Sequence, residues 1–244
     1  SKGMRDLPER QKTLRAAIEW SYNLLSDELK QAFRQLGIFK RSWTLEAADT
    51  ILKNENNTID IEELTERLLD VSLIKPTLVN HTSEPRFNML QTVHEYAHEE
   101  LEKSADAENT KKRYAQYFYD LCVEAYPHLW IGTAEAWLDK IEFEYQNIRA
   151  AFYILLELQD YEKAWYFIYL LSPYWTVRGG FSEIKDWIEA CRMHNDELVN
   201  SDKITPVIKG RSLVWAGYCQ LFMFDFEHGF SDIELAEKLL EAIP

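Results

Sequence analysis

The sequence has 244 residues, of which 46% are apolar and 14% aromatic, and its formal net charge is -14. A chain this long and this apolar can bury one or two cores, which excludes a disordered polypeptide. The acidic balance argues against general nucleic-acid binding, because tight non-specific binding requires Lys and Arg to neutralise phosphates.

The cellular context follows from what the sequence lacks. No run of about 20 apolar residues would span a membrane, and no signal peptide opens the sequence. Cys122, Cys191 and Cys219 are odd in number and far apart, which favours buried thiols over a disulfide framework or a zinc site. We therefore expect a cytoplasmic protein without a membrane partner. The polar start at Ser1, without Met, leads us to expect a fragment of a longer protein.

The first part of the sequence predicts four helices with apolar residues at helical spacing. The first has a broad apolar face formed by Leu14, Ile18, Tyr22 and Leu25, with Trp20 near its edge, and Ser26 is expected to cap the second. The first predicted helix is Thr13–Leu25, and the second follows Ser26 with Phe33 and Leu36 on its apolar side. The third is Leu45–Leu52, and the fourth extends from Asp60 to about Leu73.

The periodicity then changes to that of a small β-hairpin. Two short strands are predicted at 73–79 and 86–90 around a turn-rich segment, and a helix follows from Gln91 to about Lys103. Helices, a hairpin and a closing helix are the order of a winged helix. We therefore predict a winged-helix-like domain over residues 1–104.

The second part, residues 105–244, shows only helical patterning. The runs Asp160–Ala164 and Asp225–Gly229 share an acidic-aromatic-acidic pattern that ends on a small residue, about 65 residues apart. This is close to two periods of a 34-residue tetratricopeptide unit. Small residues at Gly217, Gly229 and Ala236 suit close helix packing. The predicted fold class is thus mainly α, with tetratricopeptide-like helical repeats over 105–244.

Four segments carry a family resemblance: Leu7–Leu25, Leu68–Leu73, Arg86–Ala97 and Glu144–Ala151. They resemble segments that follow the nucleotide-binding core in bacterial STAND-class signal-transduction ATPases of the NB-ARC type, including predicted-ATPase transcriptional regulators. The resemblance covers most of residues 7–190, and the remainder fits only as generic repeat. It implies a switch in which a winged helix closes over a nucleotide held by an NTPase core, and a helical arm senses a partner.

The resemblance also implies that ATP or ADP would be bound in a core that this sequence lacks. No Gly-x-x-x-x-Gly-Lys-Ser/Thr loop occurs in the chain, so we expect no enzyme activity and no cofactor of its own. Some relatives have a Met-His-Asp triplet whose His reaches the nucleotide phosphate. The aligned residues are Met89, Leu90 and Gln91, and Gln91 is the candidate to face the nucleotide in the full-length protein.

A literal H-E-x-x-H motif lies at His94–His98. Two histidines four residues apart on a helix can bind zinc. The extended motif would need Gly at Leu101 and a third His at Ser104. We therefore predict packing or surface histidines and no metal site.

Two further classes of binding site remain open. DNA could be read by the helix at 60–70, but this helix carries five acidic residues against one Arg, so we expect no direct nucleic-acid contact. Aromatic residues crowd the segment from Trp130 to Trp187, mostly as expected core. Tyr174 and Trp175, beside Arg178, are the candidate exposed edge for a partner.

These observations predict a non-catalytic, protein-interaction region of a signalling ATPase, coupling the nucleotide state of the core to the arm, with a possible role in transcription regulation. Its expected partners are its own NTPase core and other proteins, and the full-length protein could oligomerise. The alternatives are a stand-alone helical-repeat adaptor that binds a protein or peptide, and a DNA-binding winged helix.

Overall fold

The structure is a computed structural model that describes residues 9–53, 60–77, 84–130, 134–193 and 205–241. Within these ranges the fold is mainly α, as predicted, with a small three-stranded sheet. The elements in chain order are α1 Glu9–Asn23, α2 Asp27–Leu36, β1 Ser42–Thr44, α3 Leu45–Leu52, α4 Ile61–Asp70, β2 Lys75–Thr77, β3 Arg86–Asn88, α5 Gln91–Glu102, α6 Ala107–Ala125, a 3-10 helix Tyr126–Trp130, α7 Ala134–Glu157, α8 Tyr161–Arg178, α9 Phe181–Met193, α10 Pro206–Phe222 and α11 Phe226–Glu241.

The chain packs as two compact units. Unit 1 ends at Tyr117 and unit 2 begins at Phe118, so the division falls inside helix α6. The domain boundary predicted after residue 104 lies earlier, between α5 and α6.

Side-chain caps start three helices of unit 1. The Ser26 hydroxyl accepts a hydrogen bond from the Leu29 amide at 3.3 Å, as the sequence predicted. Thr44 caps α3 through the Ala47 amide at 3.1 Å, and Asp60 caps α4. Each cap satisfies an amide that has no partner within its helix, which typically contributes about 1 kcal/mol.

Aromatic side chains fill the core of unit 1. The rings of Tyr22, Phe33 and Tyr96 lie within 6.5 Å of one another and join α1, α2 and α5. On the predicted apolar face of α1, Ile18 and Tyr22 are buried, whereas Leu14 and the edge residue Trp20 are exposed. The apolar face therefore begins one turn later than its sequence pattern indicates.

The sheet of unit 1 is antiparallel, in the order β1-β3-β2. Strands β2 and β3 confirm the predicted pair, although both are shorter than expected, and residues 78–83 lie outside the described residues. Strand β1 was not predicted. Arg86 on β3 is buried and donates hydrogen bonds to the Ser42 hydroxyl at 3.0 Å and to the Ser42 carbonyl at 3.1 Å, which ties β1 to β3.

Unit 2 contains two helical turns with the same backbone geometry. Gln159 and Phe224 both have positive φ, 60° and 62°. The next residue, Asp160 or Asp225, donates its amide to the carbonyl five residues earlier, at 2.9 Å in both turns. The sequence echo therefore corresponds to a repeated turn, which joins α7 to α8 and α10 to α11. Its assignment to the tetratricopeptide class stays a prediction.

Aromatic rings and one proline shape the centre of unit 2. Phe152 of α7 and Trp187 of α9 stack at 4.0 Å, and Trp175 meets Trp187 edge to face at 5.1 Å. Pro173 lies inside α8 and has no amide to donate. The Ser172 hydroxyl donates instead to the Tyr169 carbonyl at 2.7 Å. That carbonyl would otherwise have lost its helical partner.

The three cysteines are buried and unpaired, as predicted. All of them lie in unit 2, and burial raises the pKa of each thiol, that of Cys219 to about 12. Among the helices that the structure describes, none is both long and apolar enough to cross a membrane.

Candidate interaction surfaces

Helix α4 is the helix for which DNA reading was considered from the sequence, and its exposed side is acidic. Glu62, Glu66 and Asp70 face solvent. The one cation of this helix, Arg67, is paired with Glu63 at 2.6 Å. Phosphate would be repelled by this surface. The expectation that this fragment makes no direct nucleic-acid contact stays a prediction, with physical support from α4.

The histidines of the H-E-x-x-H motif are packed against the turn after α2. The Nε2–H of His94 donates to the carbonyl of Phe39 at 2.7 Å, and the rings of His94 and His98 stack in parallel at 6.1 Å. Burial, and then the charge of Lys40, lower the pKa of both rings. Within the described ranges, no three potential ligands come together around a metal position.

Gln91 opens helix α5 and is exposed. Its side-chain amide donates to Glu95 at 3.1 Å. Leu90, which precedes it, makes no side-chain cap to the helix. The structure contains no nucleotide-binding core, so the proximity of Gln91 to a nucleotide stays a prediction.

The expected exposed edge at Tyr174 and Trp175 is wrong in one respect, because both side chains are buried, at 4% and 1% exposure. The Tyr174 hydroxyl donates to Glu142 at 2.5 Å. The Trp175 indole donates to the hydroxyl of Tyr145 at 2.7 Å. These polar atoms are already used inside unit 2, so the two side chains hold helices together and do not form an open surface.

Arg178, the third residue of that predicted edge, is exposed at the end of α8. Its guanidinium contacts two carboxylates of α7, Glu135 at 2.9 Å and Asp139 at 2.7 Å. A partner carboxylate would have to compete with both. A role for Arg178 in partner binding stays a prediction.

A different surface of unit 2 exposes aromatic residues. Helix α10 presents Val214, Tyr218 and Phe222 to solvent along one face, with Trp215 half-buried beside them. Phe222 is 57% exposed, and Trp130 of the 3-10 helix is 55% exposed. These five residues form what we name the α10 stripe. Large exposed apolar patches of this kind mark interaction sites.

The rings of the α10 stripe are in contact and continue across unit 2. Trp215 joins Trp130 at 6.1 Å and Tyr218 at 5.6 Å, and Tyr218 meets Phe222 at 5.1 Å. The series continues from Trp130 to Tyr126, whose ring centres are 6.2 Å apart, and from Tyr126 to Tyr169, at 4.8 Å. Preformed rings of this kind offer a partner much contact area at low entropic cost.

Two cations of unit 2 lie over tyrosine rings, and one of these rings, Tyr169, belongs to the same series. Lys163 lies 5.8 Å from the ring centre of Tyr119, and Arg211 lies 5.7 Å from that of Tyr169. Lys163 is also paired with Asp160 at 2.9 Å. The described residues provide no carboxylate for Arg211, which leaves its guanidinium available to a partner.

Sequence reasoning singled out Trp130 among the expected core aromatics and missed the rest of the α10 stripe. The available signal was that α10 carries no charged residue from Ser212 to Phe222. Leu213, Ala216 and Cys219 form its buried face, while Val214, Tyr218 and Phe222 recur at helical spacing on another. A helix that is apolar all round is either fully buried or covered by a partner.

Comparison with known proteins gives distant similarity to proteins named as regulators. The chain is 25% identical over 232 residues to "Putative HTH-type transcriptional regulator Rv0890c" of Mycobacterium tuberculosis and, with the same values, to "Putative HTH-type transcriptional regulator Mb0914c" of Mycobacterium bovis. The match covers 95% of this chain and 26% of each relative, so the chain spans about a quarter of their length. No protein-family model matches the chain. No solved structure matches it either.

Proposed function

We propose that this chain is a non-catalytic, protein-binding region of a cytoplasmic transcriptional regulator. Unit 1 transmits the nucleotide state of an NTPase core to unit 2, and unit 2 binds a partner protein. The regulatory part of this proposal is supported by the names of the distant relatives. The coupling to an ATPase is supported by the resemblance of Leu7–Leu25 and Arg86–Ala97 to STAND-class proteins.

The observation that carries the protein-binding role is the α10 stripe. Trp130 and Phe222 expose more than half of their surface, whereas Leu129 and Leu213 on the same two helices are buried. Transferring such rings from water into an interface is favourable by about 25 cal/mol per Å² of apolar area. The acidic exposed face of α4 favours a protein partner over DNA.

The absence of catalysis is part of the same proposal. The sequence contains no phosphate-binding loop, so ATP or ADP is held elsewhere in the parent protein. No cofactor is assigned to the chain itself.

The test is a pull-down with the 244-residue chain as bait against the separately expressed NTPase core of the parent protein, with ATP, ADP or no nucleotide present. Capture of the core that changes between ATP and ADP supports the coupling. Capture of a foreign protein independent of nucleotide, without affinity for the core, would favour the adaptor function instead.

The role of the stripe is tested on the same bait with Tyr218→Ala combined with Phe222→Ala. We expect this variant to lose capture of protein partners from a lysate and to retain capture of the core. Tyr153→Ala is the matched control, because Tyr153 is exposed to a similar extent on α7 but lies outside the stripe. Equal loss in both variants would show that the stripe has no special role.

A further inference from the structure

Tyr126 of the 3-10 helix and Tyr169 of α8 are joined at their hydroxyl groups. The centres of their rings are 4.8 Å apart, and the Tyr126 hydroxyl donates a hydrogen bond to the Tyr169 hydroxyl at 2.5 Å. The rings therefore converge at their hydroxyl ends. The carbon atoms ortho to the hydroxyl groups lie at these ends, and they are the atoms through which two oxidised tyrosines couple.

The two rings are also oriented for such a bond. Their planes are tilted by 36°, and the rings of a biaryl with ortho hydroxyl groups are likewise twisted relative to one another. The two tyrosines belong to different helices, so a bond between them would cross-link the 3-10 helix to α8.

Tyr145 and Tyr174 are neighbours in unit 2 without this arrangement. Their rings stack at 5.2 Å, but the Tyr145 hydroxyl donates to Glu183 and the Tyr174 hydroxyl donates to Glu142. Tyr174 is also buried, at 4% exposure. This pair therefore serves as an internal comparison, in which the rings are close but the hydroxyl groups are held by different carboxylates.

An oxidant has access to the Tyr126–Tyr169 pair from the surface of unit 2. Both tyrosines are half-buried. Trp130 is 55% exposed, and its ring centre lies 6.2 Å from that of Tyr126. An oxidised indole takes an electron from a tyrosine when the phenol proton leaves at the same time, so Trp130 offers a route inward. The thiols of the chain compete poorly, because they are buried and have raised pKa values.

The surroundings of the pair require the proton of each hydroxyl to leave with the electron. Burial, and then the hydrogen bond to Tyr169, raise the pKa of Tyr126, so this phenol is protonated at neutral pH. The guanidinium of Arg211 lies 5.7 Å from the ring centre of Tyr169 and disfavours a positively charged radical there. Oxidation of both residues therefore gives two neutral phenoxyl radicals that face each other at their hydroxyl ends.

We propose that Tyr126 and Tyr169 form an oxidative modification site, at which a dityrosine bond joins the 3-10 helix to α8 and Trp130 is the entry point for the oxidising equivalents. The co-reactant is hydrogen peroxide, used by a one-electron oxidant of the haem-peroxidase class. Each tyrosine loses one electron and its hydroxyl proton, one bond forms between the two ortho carbons, and the hydrogens on those carbons move to the phenol oxygens. The two electrons and two protons reduce one hydrogen peroxide to two water molecules.

The bond would close a loop from residue 126 to residue 169, which contains the whole of α7. A cross-link of this kind limits the conformations of the unfolded chain. The cross-linked chain should therefore unfold at a higher urea concentration than the untreated chain. The inference does not rest on the proposed function, because neither Tyr126 nor Tyr169 belongs to the α10 stripe and the readout is a covalent bond.

The test treats the 244-residue chain with a haem peroxidase and hydrogen peroxide, at a protein concentration low enough to avoid bonds between molecules. Trypsin digestion and mass spectrometry follow. We expect a product in which peptide 114–140 is joined to peptide 164–178, with a mass lower by two hydrogen atoms than the two peptides together. Fragmentation should locate the bond at Tyr126 and Tyr169.

Variants that remove single hydroxyl groups make the assignment specific. Tyr126→Phe and Tyr169→Phe should each lose the product, whereas Tyr166→Phe, one turn from Tyr169 on the same helix, should retain it. Trp130→Phe should form the product several-fold more slowly. Far-UV circular dichroism checks that each variant folds.

The comparison pair decides whether the hydroxyl contact matters. A bond between Tyr145 and Tyr174 would join peptide 141–149 to peptide 164–178, and we expect none. Formation of that bond as readily as the bond at Tyr126 and Tyr169 would overturn the proposal. So would a joined product of peptides 114–140 and 164–178 that persists in Tyr126→Phe. An unchanged rate in Trp130→Phe would overturn the entry at Trp130.

Discussion

Gly217 of α10 and Gly229 of α11 lie so close together that a β-carbon added to Gly217 would be 2.7 Å from the carbonyl oxygen of Gly229. It would also lie 2.6 Å from Ile233. The backbone of α11 therefore occupies the space that any larger residue at position 217 would need. The sequence prediction that small residues mark close packing at Gly217, Gly229 and Ala236 is confirmed.

We predict that Gly217→Ala destabilises unit 2 by about 1–3 kcal/mol, because a methyl group overpacks a contact made partly of backbone. Urea unfolding followed by circular dichroism measures the change. Val214→Ala, on the exposed face of the same helix, is the control and should change the free energy of unfolding by about 0.5 kcal/mol or less. Similar effects of the two substitutions would contradict the close approach.

A second prediction concerns the buried Arg86 in unit 1. Arg86→Met should cost about 1.5–3 kcal/mol, because it removes two hydrogen bonds from a charged donor to Ser42 and leaves the Ser42 carbonyl without that partner. Ser42→Ala removes only the hydroxyl acceptor and should cost less. The comparison uses thermal unfolding of both variants, and a larger loss for Ser42→Ala would refute this account of how β1 is held.

A third prediction follows from the pKa values of His94 and His98, which lie below their ordinary value of 6.5. The folded state then binds fewer protons than the unfolded state at these rings. Their contribution to stability is complete above pH 6.5 and is lost as the pH falls through the lowered pKa values. Lys40 and Lys111 act in the same direction, whereas Glu95 and Glu102 oppose it.

Amide hydrogen exchange in α5 at about pH 7 and pH 5, corrected for intrinsic rates, measures this loss. We expect α5 to lose protection at the lower pH and His98→Gln to reduce that loss. His128→Gln in unit 2 serves as the control and should leave the α5 profile unchanged. A pH-independent α5 in the unaltered chain would rule out the prediction.

The fourth prediction concerns the hydrogen-bond chain through Tyr145. Its hydroxyl accepts from the Trp175 indole and donates to Glu183 at 2.6 Å, and burial raises its pKa. Tyr145→Phe leaves the buried Trp175 indole and the half-buried Glu183 carboxylate without this partner and should cost about 1–3 kcal/mol. Tyr153→Phe, at an exposed tyrosine of the same helix, should be nearly neutral in the same denaturant titration. Equal stability of the two variants would show that the chain of hydrogen bonds contributes little.

Local chemistry made several features predictable from the sequence. A helix cap needs only a hydroxyl or carboxylate and an amide two or three residues later, so Ser26 and Asp60 could be recognised without a fold. The repeated turn at Asp160 and Asp225 was visible for the same reason, since its hydrogen bonds span five residues or fewer.

Features that depend on distant residues were missed. The indole of Trp175 is buried because Tyr145, 30 residues away, accepts its hydrogen bond. Strand β1 has three residues and forms only because β3, 44 residues later, pairs with it. The α10 stripe was hidden for a related reason, since both faces of α10 are apolar and only the packing of α8 and α11 shows which one is covered.

Because all three thiols lie in unit 2, their reactivity reports on the opening of this unit. Because Cys122, Cys191 and Cys219 are buried with raised pKa values, an alkylating reagent reaches them only when their helices open. The rate of alkylation therefore measures how often the helices of unit 2 open, and it gives no information about unit 1. Since the thiols lie on α6, α9 and α10, the order in which they react would show the direction in which the helices of unit 2 separate.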